Sequence, residues 1–235
     1  MKNSLSVYFI LLSIGCFICS ISIAQQIELG TNLQVYMSSP NRMYKEQFIP
    51  NVLNKEKYTT DITYSNVPSY AIGASLRKTI QEKWGLYLNT SYEWIQLEFT
   101  NRIRPIKEPE IFEIEQKYLL QYLTPNLMVG YFFKGHRKTS PYLKIGASSH
   151  FLLSQKYSSA PYVESPSEFN STFVSLMCEF GTRFLMKNRQ AIELAFLIDA
   201  DINGFEGSRN DEYRLYSNPS TLLSAGLRVH YFPFN

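Results

Sequence analysis

The chain has little cysteine, little charge and, beyond its first residues, no long hydrophobic run. Only three of the 235 residues are cysteines, and two of them, Cys16 and Cys19, lie in the N-terminal apolar segment. If that segment is removed, Cys178 is the only cysteine left. A single cysteine excludes both a framework of disulfides and a metal site built from cysteines. The longest later apolar run, residues 127–133, has seven residues and contains Gly130. A membrane-spanning helix needs about 20, so the sequence after residue 24 predicts no such helix.

The first 24 residues have the pattern of an export signal. Lys2 supplies a positive charge, residues 5–23 are mostly apolar, and Ser22 and Ala24 place small residues at the −3 and −1 positions. We expect cleavage after Ala24, which leaves residues 25–235 as one domain; an uncleaved membrane helix is the alternative. Loss of Lys2 lowers the formal charge from +3 to +2, too little to indicate a nucleic-acid partner.

Alternation of apolar and polar residues is the dominant pattern of the remaining chain. In residues 221–232, Leu223, Leu227 and Val229 share one face, whereas Ser224 and Arg228 share the other. Charges recur at mid-strand positions and aromatic residues cluster at strand ends. This arrangement favours apolar side chains facing outward to lipid and polar ones facing inward, as in a membrane barrel. Charged residues make up 18% and aromatics 15% of the chain, which suits contact with lipid and disfavours disorder.

The alternating stretches predict eight strands, each long enough for a tilted membrane crossing of about 9–11 residues. They cover residues 27–37, 69–78, 84–99, 116–133, 141–157, 171–186, 191–203 and 220–234. The connections alternate between long and short, and the long ones are residues 38–67, 100–115, 158–170 and 204–219. Outer-membrane barrels have long loops outside and short turns in the periplasm. The sequence therefore predicts an all-β fold, an eight-stranded antiparallel transmembrane β-barrel with up-and-down meander topology, over residues 25–235.

The predicted inner faces carry charges of both signs. The lumen candidates for ion pairing are Glu28, Arg77, Glu93, Lys144, Glu179, Arg183, Glu193, Asp199, Asp201 and Arg228, with His150 and His230 nearby. An eight-stranded barrel is just wide enough to be filled by side chains, and buried charges need partners. We therefore expect a lumen closed by interlocked ion pairs, with a narrow channel as the alternative.

A catalytic alternative is open at Ser148, His150 and Asp199. Ser148 and His150 share a strand face, and the three residues have the types of a nucleophile, a base and an orienting acid. A crowded lumen would deny them substrate, and no G-x-S-x-G motif is present. The sequence therefore favours a protein without catalytic residues.

Metal and cofactor sites are not predicted. The chain has only three histidines. Asp199, Asp201, Asp211 and Glu212 offer oxygen ligands for Ca²⁺, but they lack EF-hand spacing and are the kind of acids that commonly face water near loops.

The aromatic residues are interpreted in two groups. Those near strand ends are assigned to interface belts: Trp84, Tyr92, Trp94, Phe99, Tyr131, Phe132, Phe133, Tyr231 and Phe232. Those in the long loops are candidates for contact with a partner or ligand: Tyr44, Phe48, Tyr58, Tyr162 and Phe205.

Two segments carry a family resemblance. Residues 122–133 (YLTPNLMVGYFF) and the Gly146-bearing segment 141–154 resemble consecutive strands of PorT-like outer-membrane β-barrel proteins, and Phe180-Gly181-Thr182 continues the likeness. The resemblance implies a small barrel of a Bacteroidota-type outer membrane, often without an assigned activity. Such barrels usually end on an aromatic residue, whereas here Phe234 is penultimate and Asn235 is last.

Together these patterns predict a non-enzymatic integral protein of the bacterial outer membrane, acting as an accessory subunit of a larger envelope complex or through its surface loops, chiefly residues 38–67. The expected partners are outer-membrane lipid and another envelope protein, with no nucleic acid and no cofactor. The alternatives are an outer-membrane enzyme acting on lipid or peptide at the outer rim, a narrow channel, and a soluble periplasmic barrel.

Overall fold

A computed structural model describes residues 27–40, 58–65, 67–81, 83–105, 112–134, 138–160, 169–186, 190–204 and 222–233. These residues form strands and their flanking turns, and within them there is no helix long and apolar enough to cross a membrane. The strands are β1 (Ile27–Pro40), β2 (Tyr58–Ser65), β3 (Pro68–Gln81), β4 (Trp84–Pro105), β5 (Phe112–Phe132), β6 (Thr139–Ala160), β7 (Thr172–Leu185), β8 (Ala191–Asp201) and β9 (Leu222–Phe232).

The sheet closes on itself. Sequential strands pair antiparallel from β3 to β9, and β9 pairs with β1, which in turn pairs with β3. β2 and β3 lie end to end along the same side of β4, with Ser65 opposite Glu98 and Tyr70 opposite Trp94. The result is the predicted eight-stranded antiparallel barrel, which is confirmed.

The alternation has the predicted direction across the membrane-spanning part of the wall. Leu123, Leu143 and Leu227 are exposed on the outside, at 39%, 39% and 65% of their full accessibility. Glu193 and Arg228, on the opposite faces of their strands, are exposed by 0% and 1%. Apolar side chains thus cover the outer wall, as lipid contact requires.

Three of the four predicted long loops are shorter than expected. β2 lies inside the predicted loop 38–67, β4 continues to Pro105, β5 begins at Phe112 and β6 continues to Ala160. Of the predicted loop 100–115, only residues 106–111 lie outside these strands. The prediction was wrong there because it assumed that every strand keeps apolar residues outside.

The polarity of the wall is reversed beyond Trp94. Ile95, Leu97 and Phe99 point inward and are buried, whereas the intervening Gln96 and Glu98 face outward. Trp84 and Trp94 are ten positions apart on the outer face of β4, which matches one tilted membrane crossing of about 9–11 residues. Residues beyond Trp94 therefore follow the rule for strands in water, with their apolar side inside.

This tall part of the wall is called the extension. It consists of residues 58–65, 95–105, 112–120 and 155–160, which form four adjacent strand segments. The other side of the barrel is lower, because the β1–β9 pairing ends at Pro40 and Leu222 and the β6–β7 pairing ends at Phe151 and Thr172. The barrel thus projects a four-stranded sheet beyond the membrane on its long-loop side.

Three aromatic residues assigned to the interface belts lie inside the barrel instead. Phe99, Phe132 and Phe232 are exposed by 2%, 0% and 0%. Phe99 and Phe232 share the parity of the inward charges on their own strands, Glu93 and Arg228. Phe132 shares the parity of the inward Thr124 and Asn126 on β5, so the parity of the sequence contained this information. The outer belt at the short-turn end includes Trp84 and Tyr131, whose rings are 4.9 Å apart.

The lumen contains two apolar clusters in addition to the predicted charges. The loop-side cluster contains Tyr36, Ala71, Ile95, Leu97, Phe99, Tyr118, Leu120, Tyr122, Phe169, Phe173 and Leu222. The turn-side cluster contains Tyr87, Met128, Phe132, Tyr142, Met177, Ala191, Ala195, Leu197 and Phe232. The interior is therefore packed with apolar as well as ionic side chains.

Candidate functional site

The ten lumen candidates all lie on the inner face of the wall. Nine are at most 8% exposed, and the side chain of Asp199 is 13% exposed. They divide into a large ionic network toward the short turns and a smaller polar group around His150.

Glu28 and Glu193 are the carboxylates at the short-turn end of the ionic network. Arg77 Nη1 lies 3.3 Å and Arg183 Nη2 3.0 Å from Glu28 Oε2. The same two guanidinium groups lie 3.6 and 3.8 Å from Glu193 Oε1. Two arginines and two carboxylates from four different strands therefore compensate each other in the interior, as buried charges require.

Lys144 and Glu179 continue the network toward the middle of the barrel. Lys144 Nζ lies 2.7 Å from Glu193 Oε2 and 3.0 Å from Glu179 Oε2. Arg228 pairs with Glu179 and donates from Nη2 to Gln34 Oε1 at 2.7 Å. These contacts join β1, β6, β7, β8 and β9 across the lumen.

Aromatic rings complete the packing of the cations. Lys144 Nζ lies 4.0 Å from the Tyr87 ring centre and 4.5 Å from that of Tyr142. The Arg77 guanidinium lies 4.6 Å from the Phe132 ring centre. Tyr87 also donates from its hydroxyl to Glu193 Oε1 at 3.0 Å. Such cation–π contacts strengthen in the absence of water, so the lumen is filled by specific contacts between charge and ring.

His150 is the centre of the second polar group. Its Nε2 lies 3.0 Å from Ser148 Oγ and 2.9 Å from Ser175 Oγ. Its Nδ1 lies 3.1 Å from Thr124 Oγ1 and 3.3 Å from Glu93 Oε2. Both ring nitrogens therefore have hydrogen-bonding partners supplied by the wall.

The structure brings Ser148, His150 and Asp199 together, but packed side chains largely separate them from solvent. Asp199 Oδ2 lies 3.6 Å from His150 Nε2, the nitrogen that also contacts Ser148, whereas a triad acid belongs on the other nitrogen. Phe173 stacks on the imidazole with ring centres 4.1 Å apart. Ser148 is 2% exposed, so a substrate would have to displace packed side chains to reach it.

Asp201 does not take part in an ion pair within the described residues. Its Oδ1 accepts hydrogen bonds from the backbone N–H groups of Asn203 and Gly204, each at 3.0 Å. Gly204 has φ of 82°, the left-handed conformation that favours glycine. Within the described residues, the Asp201 carboxylate thus stabilises the turn that ends β8.

A small cavity lies beside His150. It is lined partly by Gln34, Tyr36, Glu93 and Asp199, and its volume is about 10 Å³. That is about the minimum for one water molecule. No cluster of three or more metal-ligating side chains occurs in the described part of the chain. This cavity thus has room for about one water molecule.

Sequence reasoning missed the uncharged polar members of these groups. They are Gln34, Tyr36, Thr124 and Ser175, all of which are buried. Their inward parity was readable from the strand pattern, but charge alone was used to select candidates. Among the loop candidates, Tyr58 begins β2. Tyr44, Phe48, Tyr162 and Phe205 lie outside the described residues, as does the predicted signal at residues 1–24.

Comparisons with solved structures show similarity to small outer-membrane barrels. OprG from Pseudomonas aeruginosa is 13% identical over 90% of this chain and 98% of its own, with a TM-score of 0.46. Neisserial surface protein A is 11% identical over 88% and 98%, with a TM-score of 0.44. Ail of Yersinia pestis, solved with the heparin analogue sucrose octasulfate, is 10% identical over 88% and 99%, with a TM-score of 0.37.

The family is shown by the sequence itself. Curated proteins give no match. Residues 21–226, however, match the family described as "Outer membrane protein beta-barrel domain", which covers most of the chain. The closed barrel with its apolar outer wall agrees with that match. The chain therefore belongs to the outer membrane protein beta-barrel domain family and is a β-barrel of the bacterial outer membrane.

Proposed function

We propose that this protein is a non-enzymatic barrel that acts through its long-loop side as an accessory subunit of a larger envelope complex. The observation that carries the proposal is the filled lumen. Arg77, Lys144, Arg183 and Arg228 are each at most 2% exposed and are held by carboxylates and rings. A packed interior leaves the outer surfaces for function, and the extension is the part of the described wall that projects beyond the membrane.

The outer face of the extension is suited to protein contact. Arg102 Nε lies 2.8 Å from Glu113 Oε1, and Lys117 Nζ lies 3.4 Å from Glu98 Oε1. Three of these four side chains are more than half exposed. Exposed pairs contribute only about 0–1 kcal/mol, so their charges can pair with a partner's side chains at small cost.

The predicted contact loop is joined to this surface. β1 ends at Pro40 and β2 begins at Tyr58, so residues 41–57 connect the barrel rim to the extension. Tyr44 and Phe48 in this segment are the residues that we expect to contact the partner. Because β2 pairs with β4, this segment is followed in the chain by a strand of the extension.

We also propose that the chain is one of the PorT-like members of its family. Residues 122–133 and 141–154, which carry the resemblance, lie on the adjacent strands β5 and β6. Pro125 interrupts their pairing: Leu123 pairs with Phe151, and the ladder resumes at Asn126 and Ser148. Proline cannot donate to the ladder, so this interruption is a structural feature by which relatives can be recognised.

Affinity purification in mild detergent followed by mass spectrometry tests the proposal. We expect an envelope protein to co-purify with the tagged chain and to be lost in two variants. One lacks residues 41–57; the other carries Arg102→Glu with Lys117→Glu. The control is Lys138→Glu, a charge reversal at an exposed position at the short-turn end of the barrel. Retention of heat-modifiable mobility on gels shows that each variant is folded.

Co-purification that is unchanged in both variants would contradict the proposal, as would the absence of any specific partner for the native protein. A partner lost only on deletion of residues 41–57 would assign the contact to the loop and exclude the extension.

One observation favours an enzyme as the second candidate. Ser148, His150 and Glu93 follow one another at 3.0 and 3.3 Å through the two ring nitrogens, in the order nucleophile, base and acid. Lipid or peptide turnover by the purified protein, lost in His150→Ala and in Ser148→Ala, would establish it. We expect no turnover, because Phe173 stacks on the base and the adjacent cavity holds about one water.

A further inference from the structure

Positive charge is concentrated at the short-turn end of the barrel. Residues 78–83, 134–138 and 187–190 together contain seven lysines and arginines and one acidic residue, Glu82. Of these, Lys83, Lys134 and Lys138 are described and exposed. By contrast, the described exposed charges of the extension are mixed in sign. The charge of the protein is thus polarised along the barrel axis.

The three lysines lie on one continuous part of the rim. The N–H of Phe132 donates to the backbone carbonyl of Lys83 at 2.7 Å, which places Lys83 beside the end of β5. Lys134 follows two residues later. The N–H of Leu185 donates to the carbonyl of Lys138 at 2.8 Å. This bond joins the turn between β5 and β6, which carries both Lys134 and Lys138, to the end of β7. The lysines therefore follow the ends of β4, β5 and β6 in order.

No exposed carboxylate balances these lysines within the described residues. Glu28 and Glu193 are the acidic residues near this end of the described strands, and both are buried and paired in the lumen. Like charges on adjacent turns repel one another, and this repulsion is relieved when an anion lies between them.

Aromatic residues place the lysines at the level of lipid headgroups. Lys83 directly precedes Trp84, and Lys134 directly follows Phe133. Trp84 and Phe133 are 43% and 51% exposed on the outer wall, and both of their rings pack on Tyr131. Aromatic belts mark the membrane interface, and lysine side chains extend from such positions to the headgroups. A protein partner would not require this continuity with the lipid-facing wall.

We propose that Lys83, Lys134 and Lys138 form a binding surface for the phosphate groups of anionic phospholipids in the leaflet that faces the short turns. Short turns of outer-membrane barrels face the periplasm, so this is the inner leaflet of the outer membrane. The lysine ammonium groups donate to the phosphate oxygens while Trp84, Tyr131 and Phe133 contact the glycerol and upper acyl region. The surface would collect anionic lipid around one side of the barrel.

The chain contains its own reporter for this surface. It has two tryptophans, Trp84 at the lysine-bearing rim and Trp94 at the opposite rim. Trp94→Phe leaves Trp84 as the single tryptophan, which is excited selectively at the red edge of its absorption. The folded protein is reconstituted in phosphatidylcholine vesicles with increasing fractions of brominated phosphatidylglycerol, and in a second series with brominated phosphatidylcholine. Bromine quenches tryptophan on contact, so the two quenching curves give the lipid composition around Trp84.

We expect phosphatidylglycerol to be enriched about fivefold around Trp84 at low salt, the factor that corresponds to about one lysine–anion contact at a membrane surface. The enrichment should fall toward onefold in 1 M NaCl. The variant Lys83→Gln with Lys134→Gln and Lys138→Gln should abolish it, whereas Lys117→Gln with Lys156→Gln, at the other end, should leave it intact. Trp84→Phe, which reports from Trp94, should show no enrichment.

Equal quenching by the two lipids at Trp84, or enrichment that persists in the triple variant, would overturn the inference. If the triple variant does not fold, Lys83→Gln alone must lower the enrichment, since this lysine adjoins the reporter. The test is independent of the proposed envelope partner, because the substitutions at Lys83, Lys134 and Lys138 leave the extension and residues 41–57 unchanged.

Discussion

The ammonium nitrogen of Lys144 lies 2.7 Å from Glu193 Oε2, and both side chains are fully buried. Lys144 is on β6 and Glu193 on β8, so the pair spans the strand between them, β7. Its contact crosses the lumen instead of following the hydrogen-bond ladder. Contacts of this kind join strands that are not neighbours in the sheet.

Lys144→Met should lower the free energy of unfolding by about 3–5 kcal/mol, because it leaves Glu179 and Glu193 buried without one of their cations. Urea unfolding in lipid vesicles, followed by tryptophan fluorescence, measures the change. The control is Lys117→Met, which removes an exposed partner of Glu98 and should change stability by less than about 1 kcal/mol. Equal effects of the two substitutions would show that the lumen network does not stabilise the barrel.

Gly181→Ala should hinder folding, because the wall has no space for a methyl group there. An added Cβ would lie 2.8 Å from both Ala195 Cα and the Tyr142 hydroxyl oxygen. Overpacking of this kind typically costs about 1–3 kcal/mol. The fraction of heat-modifiable protein after refolding provides the measurement.

The matched control for that substitution is Gly85→Ala. There the nearest atom to an added Cβ is the edge of the Tyr87 ring at 3.2 Å, a side chain that can shift slightly. If Gly85→Ala impaired refolding as strongly as Gly181→Ala, close backbone approach would not be the cause.

The position of the membrane boundary on β4 can be tested by cysteine labelling of intact cells. Glu98→Cys should react with a membrane-impermeant maleimide, because the residue lies beyond Trp94 on the water-exposed outer face. Leu88→Cys, on the same face of the same strand but between Trp84 and Trp94, should not react because it contacts lipid. Both changes are made with Cys178→Ser, since Cys178 is a free cysteine of the described residues. If neither cysteine is labelled, residues beyond Trp94 are inside the membrane or are covered by other residues or by a partner, which contradicts the proposed boundary.

The purified protein should not conduct ions across planar bilayers. Lys144, Arg183 and Arg228 cross the lumen with their carboxylate partners, and an eight-stranded barrel has no further room for an aqueous path. Replacement of Arg228 by glycine, which removes a large buried side chain, serves as the comparison for any residual current. Stable conductance steps from the unaltered protein would contradict a closed lumen.

The alternation of apolar and polar residues with a period of two determined much of the architecture of this protein from the sequence alone. It assigned Leu123, Leu143 and Leu227 to the outer wall and Glu193 and Arg228 to the inner wall, because neighbouring side chains of a strand must point to opposite faces. The rhythm of long and short connections determined the strand number and the direction of the barrel. The burial of Phe99, Phe132 and Phe232 was also available from the same parity, but their positions at strand ends suggested a belt.

Only the tertiary structure decided which charges meet. Arg183 contacts Glu28 across 155 positions of sequence, a pairing that depends on the closure of the barrel between β9 and β1. It also decided where the wall leaves the membrane. The same alternation continues through Trp94, but the solvent outside changes from hydrocarbon to water, so the apolar face changes sides. Sequence specifies the period of a strand, whereas the surroundings of the folded strand decide which face is apolar.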